Sequence, residues 1–151
     1  MRRTVAVAVP VLLVALAATG CSGGGGVAGA AGDARDTWAE RGPESYTFAL
    51  ASLCGERALY GQFAVTVTDG AVTAVEPLDE AATNALDSVP TAGEYVPTVA
   101  ELLERIVDAP DDVREATFDA DGVPTHVFFD PEPNGIDDEE CYDLTDVRAA
   151  G

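Results

Sequence analysis

Few residues in this chain are equipped for chemistry, and they lie late in it. Residues 130–140 read Asp-Pro-Glu-Pro-Asn-Gly-Ile-Asp-Asp-Glu-Glu, with side-chain oxygens at alternate positions and a glycine sixth. That spacing partly matches an EF-hand calcium loop. The twelfth position, however, is Cys141 where an EF-hand has its bidentate Glu, and Pro131 and Pro133 stiffen the loop. The expectation is a looser Ca²⁺ site formed by Asp130, Asn134, Asp137 and Asp138, since a hard cation needs only clustered oxygens. The competing reading is a solvated turn whose Asp side chains cap backbone amides. His126 is the single histidine. A multi-histidine metal site is therefore excluded, and any nucleophile–His–acid arrangement would rest on one residue. His126 falls in a predicted strand and reads as structural or surface. The sequence has no Gly-rich phosphate loop, nucleophile elbow or zinc spacing. No catalytic residue and no organic cofactor are expected, and the protein reads as a non-enzyme.

The three cysteines carry more information. Cys21 ends the run Leu16-Ala17-Ala18-Thr19-Gly20-Cys21, after a basic start (Arg2, Arg3) and an apolar stretch over 5–18. A positive segment, an apolar segment, small residues and then a cysteine form a bacterial lipoprotein signal, in which the cysteine is lipidated and becomes the new N-terminus. The position three before the cysteine is Ala18, where such signals more often carry Leu. The apolar stretch is short of the roughly 20 residues that span a bilayer, and it contains Pro10. A plain secretory signal cleaved after Ala18 or Gly20 is the alternative. Residues 1–20 are thus read as signal peptide, 21–32 as lipidated cysteine plus Gly/Ala-rich tether, and 33–151 as one domain. With Cys21 lipidated, Cys54 and Cys141 remain, and two thiols in an exported domain form a disulfide. Closing a loop of that length contributes about 4–5 kcal/mol in the chain-entropy treatment, less any strain.

Charge narrows the partners. The chain has 27 acidic and eight basic residues and no lysine. Without Arg2 and Arg3, six arginines face 27 acids, a side-chain sum of −21. Such a domain is repelled by nucleic acid and by anionic headgroups. Nucleic-acid binding is excluded on that ground, and a divalent cation or a basic protein partner is favoured. All ten aromatic residues follow Cys21, so the exported part can build a core.

The elements that would position these residues follow from periodicity. A short helix is predicted over 34–41, capped by Asp33, stopped by Gly42-Pro43 and anchored by Trp38. Residues 45–53 alternate, with Tyr46, Phe48 and Leu50 on one face. Residues 62–76 form a hairpin about Asp69-Gly70, which sets Val67 opposite Val72 and Val65 opposite Ala74. Phe63, Val65, Val67, Val72 and Ala74 then share a face, and Val75 lies on the other. A long connection follows, with a helical turn near 80–86. Thr98 and Glu101 form a capping box ahead of the stripe Val99, Leu102, Leu103, Ile106 and Val107. Residues 113–118 and 123–130 form a second hairpin. Its adjacent Phe128 and Phe129 point to opposite faces, one into the core and the other over the N-terminal helix. Residues 141–147 read as a short last strand at an edge. No βαβ alternation is present. The fold class is α+β, an antiparallel sheet of about five strands (two hairpins and a first strand), with a short N-terminal helix and one amphipathic helix packed on one face.

In this order, Trp38-x7-Tyr46-x-Phe48, Val65-Thr66-Val67-x-Asp69-Gly70-x-Val72, Thr98-Val99-x-x-Leu102, Gly122-x-Pro124-Thr125-x-Val127 and Asp130-x6-Asp137-Asp138-Glu139 resemble a family of bacterial exported proteins. That family is a domain of unknown function common in lipoproteins, and the resemblance covers about 33–147. It implies an envelope-associated α+β domain and brings no catalytic residue with it. Relatives often carry a Cys-x-Cys after the first strand, whereas here Cys54 stands alone and Cys141 lies far along the chain.

The function expected from sequence is a lipid-anchored protein of the cell membrane, facing outside the cytoplasm, with a non-enzymatic binding or structural role and an envelope protein as partner. A Ca²⁺-binding module is one alternative, and an inhibitor-like or sensory binding module is another. The anchor is directly testable. Labelled palmitate or glycerol should enter the wild-type protein and be lost in Cys21→Ala, and equal labelling of the two would exclude lipidation at Cys21.

Overall fold

A computed structural model describes residues 26–89, 91–135 and 137–151. Cys21 and the signal segment lie outside the described residues. The elements run α1 (Val27–Arg41), β1 (Tyr46–Ser52), β2 (Gly61–Thr68), β3 (Ala71–Pro77), α2 (Glu80–Ser88), α3 (Val99–Asp108), β4 (Val113–Phe118), β5 (Pro124–Phe129) and β6 (Glu140–Ala149). Single 3₁₀ turns at Ala92–Glu94 and Pro110–Asp112 flank α3. The fold is α+β, with an open antiparallel sheet of six strands in the order β3-β2-β1-β6-β5-β4 and three helices.

The last strand is the main correction to the sequence reading. It is ten residues long, and it lies at the centre of the sheet, not at an edge, between β1 and β5. Tyr142 and Leu144 are buried there. They add to a core face formed by Tyr46, Phe48, Leu50, Phe63, Val65, Val67, Val127 and Phe129. The true edges are β3 and β4.

Helix α1 starts at Val27, so residues 27–32, expected to be tether, are helical. Its N-cap is Gly26, with no side-chain cap, and not Asp33. The alanines favour a helix but Gly29 and Gly32 oppose one, so local propensity alone does not explain it. Tertiary packing does, because Ala31, Ala34 and Trp38 form a buried stripe and α1 lies against α3. The Trp38 ring meets Tyr46 edge-on, 5.2 Å between centroids.

Helix α2 runs two residues beyond the expected 80–86, and Asp79 caps its start. One carboxylate oxygen accepts from the Ala82 amide at 2.7 Å and the other from the Gln62 amide at 3.1 Å, which ties the helix to β2. The capping box of α3 is formed as expected, with Glu101 N to Thr98 Oγ1 at 3.2 Å and Thr98 N to Glu101 Oε2 at 2.8 Å. A further donor at the N-terminus of α3, the Val99 amide, is taken by the Tyr46 hydroxyl at 3.0 Å. Val99, Leu102, Leu103 and Ile106 are buried against the sheet.

The first hairpin turns at Asp69 and Gly70, both at positive φ, and Val67 faces Val72. A bulge between Thr66 and Val67 then shifts the register, so Val65 faces Val75, not Ala74. The bulge exchanges the faces of the two residues: Val75 packs on the core and Ala74 is exposed. In the second hairpin Phe129 enters the core. Phe128 stands opposite Cys141 on the uncovered face and so does not cover α1, which packs on the Phe129 side. Its turn ends on Gly122 at φ +83, pressed against α1. A Cβ there would lie 3.0 Å from the Trp38 amide nitrogen and drive into the Ala34 carbonyl. Gly122→Ala should therefore cost about 2–4 kcal/mol, combining left-handed strain with displacement of α1. Urea unfolding monitored by Trp38 fluorescence checks this; an unchanged midpoint would show that α1 is not seated on this turn.

Candidate functional site

Of the residues singled out from sequence, Cys54 and Cys141 come together, whereas the acids of the 130–140 run form no metal-holding group among the described residues. Asp130 is held by Arg114, with Nε to Oδ2 at 3.4 Å, and its carbonyl accepts from Arg114 Nη2 at 2.7 Å. One oxygen of Asp138 accepts from the Glu132 amide at 3.2 Å, while the other is buried without a partner. Asn134 and Asp137 are exposed. Among the described residues no three acidic, histidine or cysteine side chains are grouped to hold a metal ion. His126 lies on β5, cross-strand from Asp143 on β6, with Nδ1 2.6 Å from Oδ1. The pair sits half-exposed on the uncovered face of the sheet. The expected disulfide is present, joining Cys54 to Cys141 with Cα atoms 5.7 Å apart.

The disulfide leads to a site that local sequence signals did not mark. Cys54 lies in the β1–β2 loop that carries Arg57, and Cys141 is flanked on β6 by Glu140 and Tyr142. Clamping the two segments brings Arg57 against Glu140. Arg57 Nη1 lies 2.8 Å from Glu140 Oε1, and Arg105 on α3 grips both oxygens of the same carboxylate at 2.6 and 2.9 Å. The Tyr142 hydroxyl donates to Glu140 Oε2 at 2.7 Å. The Arg105 guanidinium also lies over Phe129, 4.0 Å from the ring centroid. Glu140 is 12 % exposed, Arg57 33 % and Arg105 41 %, so the acid is sunk and the two bases look outward.

These groups shift one another's protonation. Burial pushes the Glu140 carboxyl upward. The hydrogen bonds from Arg105 and Tyr142, with the charges of Arg105 and Arg57, outweigh burial and hold the group below the usual carboxylate value. Tyr142 is pushed up to about 12, by burial first and then by its hydrogen bond to Glu140. At neutral pH the cluster therefore contains two guanidinium cations, one carboxylate and a neutral phenol.

The cluster forms one wall of a groove of about 790 Å³, which also runs past the first hairpin turn (Gly70, Val72), Tyr95, Pro97 and the start of α3. A second hollow of about 270 Å³, lined by Leu50, Ser52 and Leu59, shares Arg57, Tyr95, Val96 and Tyr142 with it. The larger volume is in the range of small-ligand sites. Tyr95 is 54 % exposed, an aromatic platform at the junction of the two. Glu94 and Glu101 also line the groove. Each uses one oxygen locally, Glu94 on the Thr91 hydroxyl and Glu101 on the Thr98 amide.

An open six-stranded antiparallel sheet, helices over one face, and a disulfide that fixes a charged groove define a small α+β domain. The chain belongs to a protein family of unknown function, DUF6174, which matches residues 30–149. This agrees with the uncharacterised domain family expected from the motifs. No curated protein matches the chain. No solved structure matches it either.

The Glu140 cluster has a definite pH signature. A carboxyl whose folded pKa is depressed contributes stability that is present above its unfolded value, about 4.3, and is lost as pH falls through the lower folded value. Glu140→Gln should destabilise the protein by about 1–2 kcal/mol at pH 7, discounted because both arginines are partly solvated. The gap between wild type and variant should begin to narrow below about pH 4.3 and close as pH falls through the lower folded value. Chemical denaturation at pH 7 and pH 3.5 measures it; a gap unchanged at pH 3.5 would show that ionised Glu140 is not what holds the cluster.

Proposed function

We propose that this protein is a lipid-anchored, non-enzymatic binding domain of the cell envelope, held by Cys21, and that the groove along Arg57, Tyr95, Arg105 and Glu140 is its binding site. The observation that carries this reading is the pair of outward-looking arginines on one sunken carboxylate, beside an exposed tyrosine, in a groove of ligand size. Charged side chains and the apolar residues Val72, Val96 and Pro97 line the same concave surface, as in small-ligand sites. The disulfide supports a pre-organised site, because it joins the two segments that bring Arg57 and Glu140 together.

The anchor rests on the run ending in Cys21. Among the described residues no helix is long and apolar enough to cross a membrane. A binding role is favoured over catalysis because the titratable groups gathered at Glu140 pair with one another. Glu140 is occupied on both oxygens, and Tyr142 stays protonated at neutral pH.

Thermal unfolding of the full-length protein tests the reading. A dialysable fraction of the native envelope should raise the midpoint of wild type and leave Arg57→Gln/Tyr95→Ala unmoved. Ligand at 100 times its Kd adds about 2.7 kcal/mol to stability. An equal rise in both proteins, or no rise in wild type with any fraction, would remove the groove as a small-ligand site.

A further inference from the structure

Among the described residues the six arginines all have carboxylate partners, but not evenly. Arg35, Arg41, Arg114 and Arg148 pair with Asp36, Glu40, Asp130 and Asp146 respectively. Arg57 and Arg105 share Glu140. That point alone has more guanidinium than carboxylate, and it lies in the groove. Arg105 commits both terminal nitrogens to Glu140, whereas Arg57 commits one. A guanidinium carries five N–H donors in a planar fork suited to a carboxylate. Arg57 can therefore take a second carboxylate without releasing the first.

A ligand that is an anion overall would fare badly here. The domain carries a side-chain sum of −21, and its field repels negative charge at long range. Glu94 and Glu101 line the same groove. Each makes one local hydrogen bond, and an ionised carboxylate accepts about four. The groove thus has a cationic locus at Arg57 and an anionic one at Glu94 and Glu101. Exposed Tyr95 and the apolar residues Val72, Val96 and Pro97 line it as well. The complement of that arrangement has a carboxylate and an ammonium on one neutral molecule, with an apolar side chain.

We infer that the groove binds a short zwitterionic peptide, its C-terminal carboxylate on Arg57, its N-terminal ammonium on Glu94 and Glu101, and an apolar side chain against Tyr95. This rests on the groove being the binding site and specifies its ligand class. A cavity of 790 Å³ holds a peptide of a few residues. A neutral zwitterion escapes the long-range repulsion while still making both charge-assisted contacts.

Isothermal titration of the full-length protein with Ala-Phe-Ala tests the inference. The peptide is used with free termini, amidated at the C-terminus, or acetylated at the N-terminus. Wild type should bind the free peptide and lose about tenfold for each blocked terminus, the size of one charge-assisted contact. Arg57→Gln should bind the free and amidated peptides equally and still discriminate against acetylation. Glu94→Gln/Glu101→Gln should show the reverse, and Gln at position 101 preserves the capping box. Arg148→Gln, away from the groove, should behave as wild type. Equal binding of all three peptides by wild type, or no heat at millimolar peptide, overturns the zwitterion assignment. Where the peptides give that result but a dialysable envelope fraction stabilises wild type and not the groove variant, only the zwitterion assignment fails and the groove stands as the binding site.

Discussion

The pairing of β6 with β1 on one side and β5 on the other holds the molecule together. Without it the sheet falls into a three-stranded half, β3-β2-β1, and a hairpin, β5-β4, with no main-chain bonds between them. The strand that joins them comes last in the chain, so neither half can bury its inner face fully until β6 is in place. Tyr142 and Leu144 supply the central part of the core, and the Cys54–Cys141 bond fastens the start of β6 to the loop after β1. The groove depends on the same event, since Glu140 and Tyr142 reach Arg57 and Arg105 only from a seated β6. Fold completion and site assembly are thus one step.

What could be read from the sequence follows the range of the interactions. The α3 capping box, the Asp69-Gly70 turn and the alternation of β1 are set by neighbours within a few residues, and all three stand as read. The helical start of α1 at Val27 was not legible. The alanines there favour helix but Gly29 and Gly32 oppose it, no capping side chain marks the start, and the helix packs on α3, far along the chain. The exchange of Ala74 and Val75 arises from a bulge, one residue of slippage that alternation alone does not mark. The place of β6 in the sheet order is a property of the whole chain and leaves no local trace. The site is harder still, because Arg57, Tyr95, Arg105 and Glu140 come from four separate segments. One signal did exist. Given a bond between Cys54 and Cys141, the few residues beside each cysteine must meet, and those residues include Arg57, Glu140 and Tyr142. The acidic run 130–140, conspicuous in sequence, instead has Asp130 held by Arg114 and Asp138 turned back on the Glu132 amide.

The length of α1 also bears on the proposed anchor. Gly26 is the N-cap of α1, five residues beyond Cys21. Five residues reach at most about 18 Å. A lipid on Cys21 would therefore hold the start of the helix within roughly two Debye lengths of the headgroups at physiological salt. The domain sums to −21, so contact with an anionic surface is opposed while the anchor limits retreat. For a chain so anchored, the balance of the two would favour a standing position at nearly full reach. A neutral ligand would cross that layer with no electrostatic penalty, whereas a polyanion would be turned back before reaching the groove.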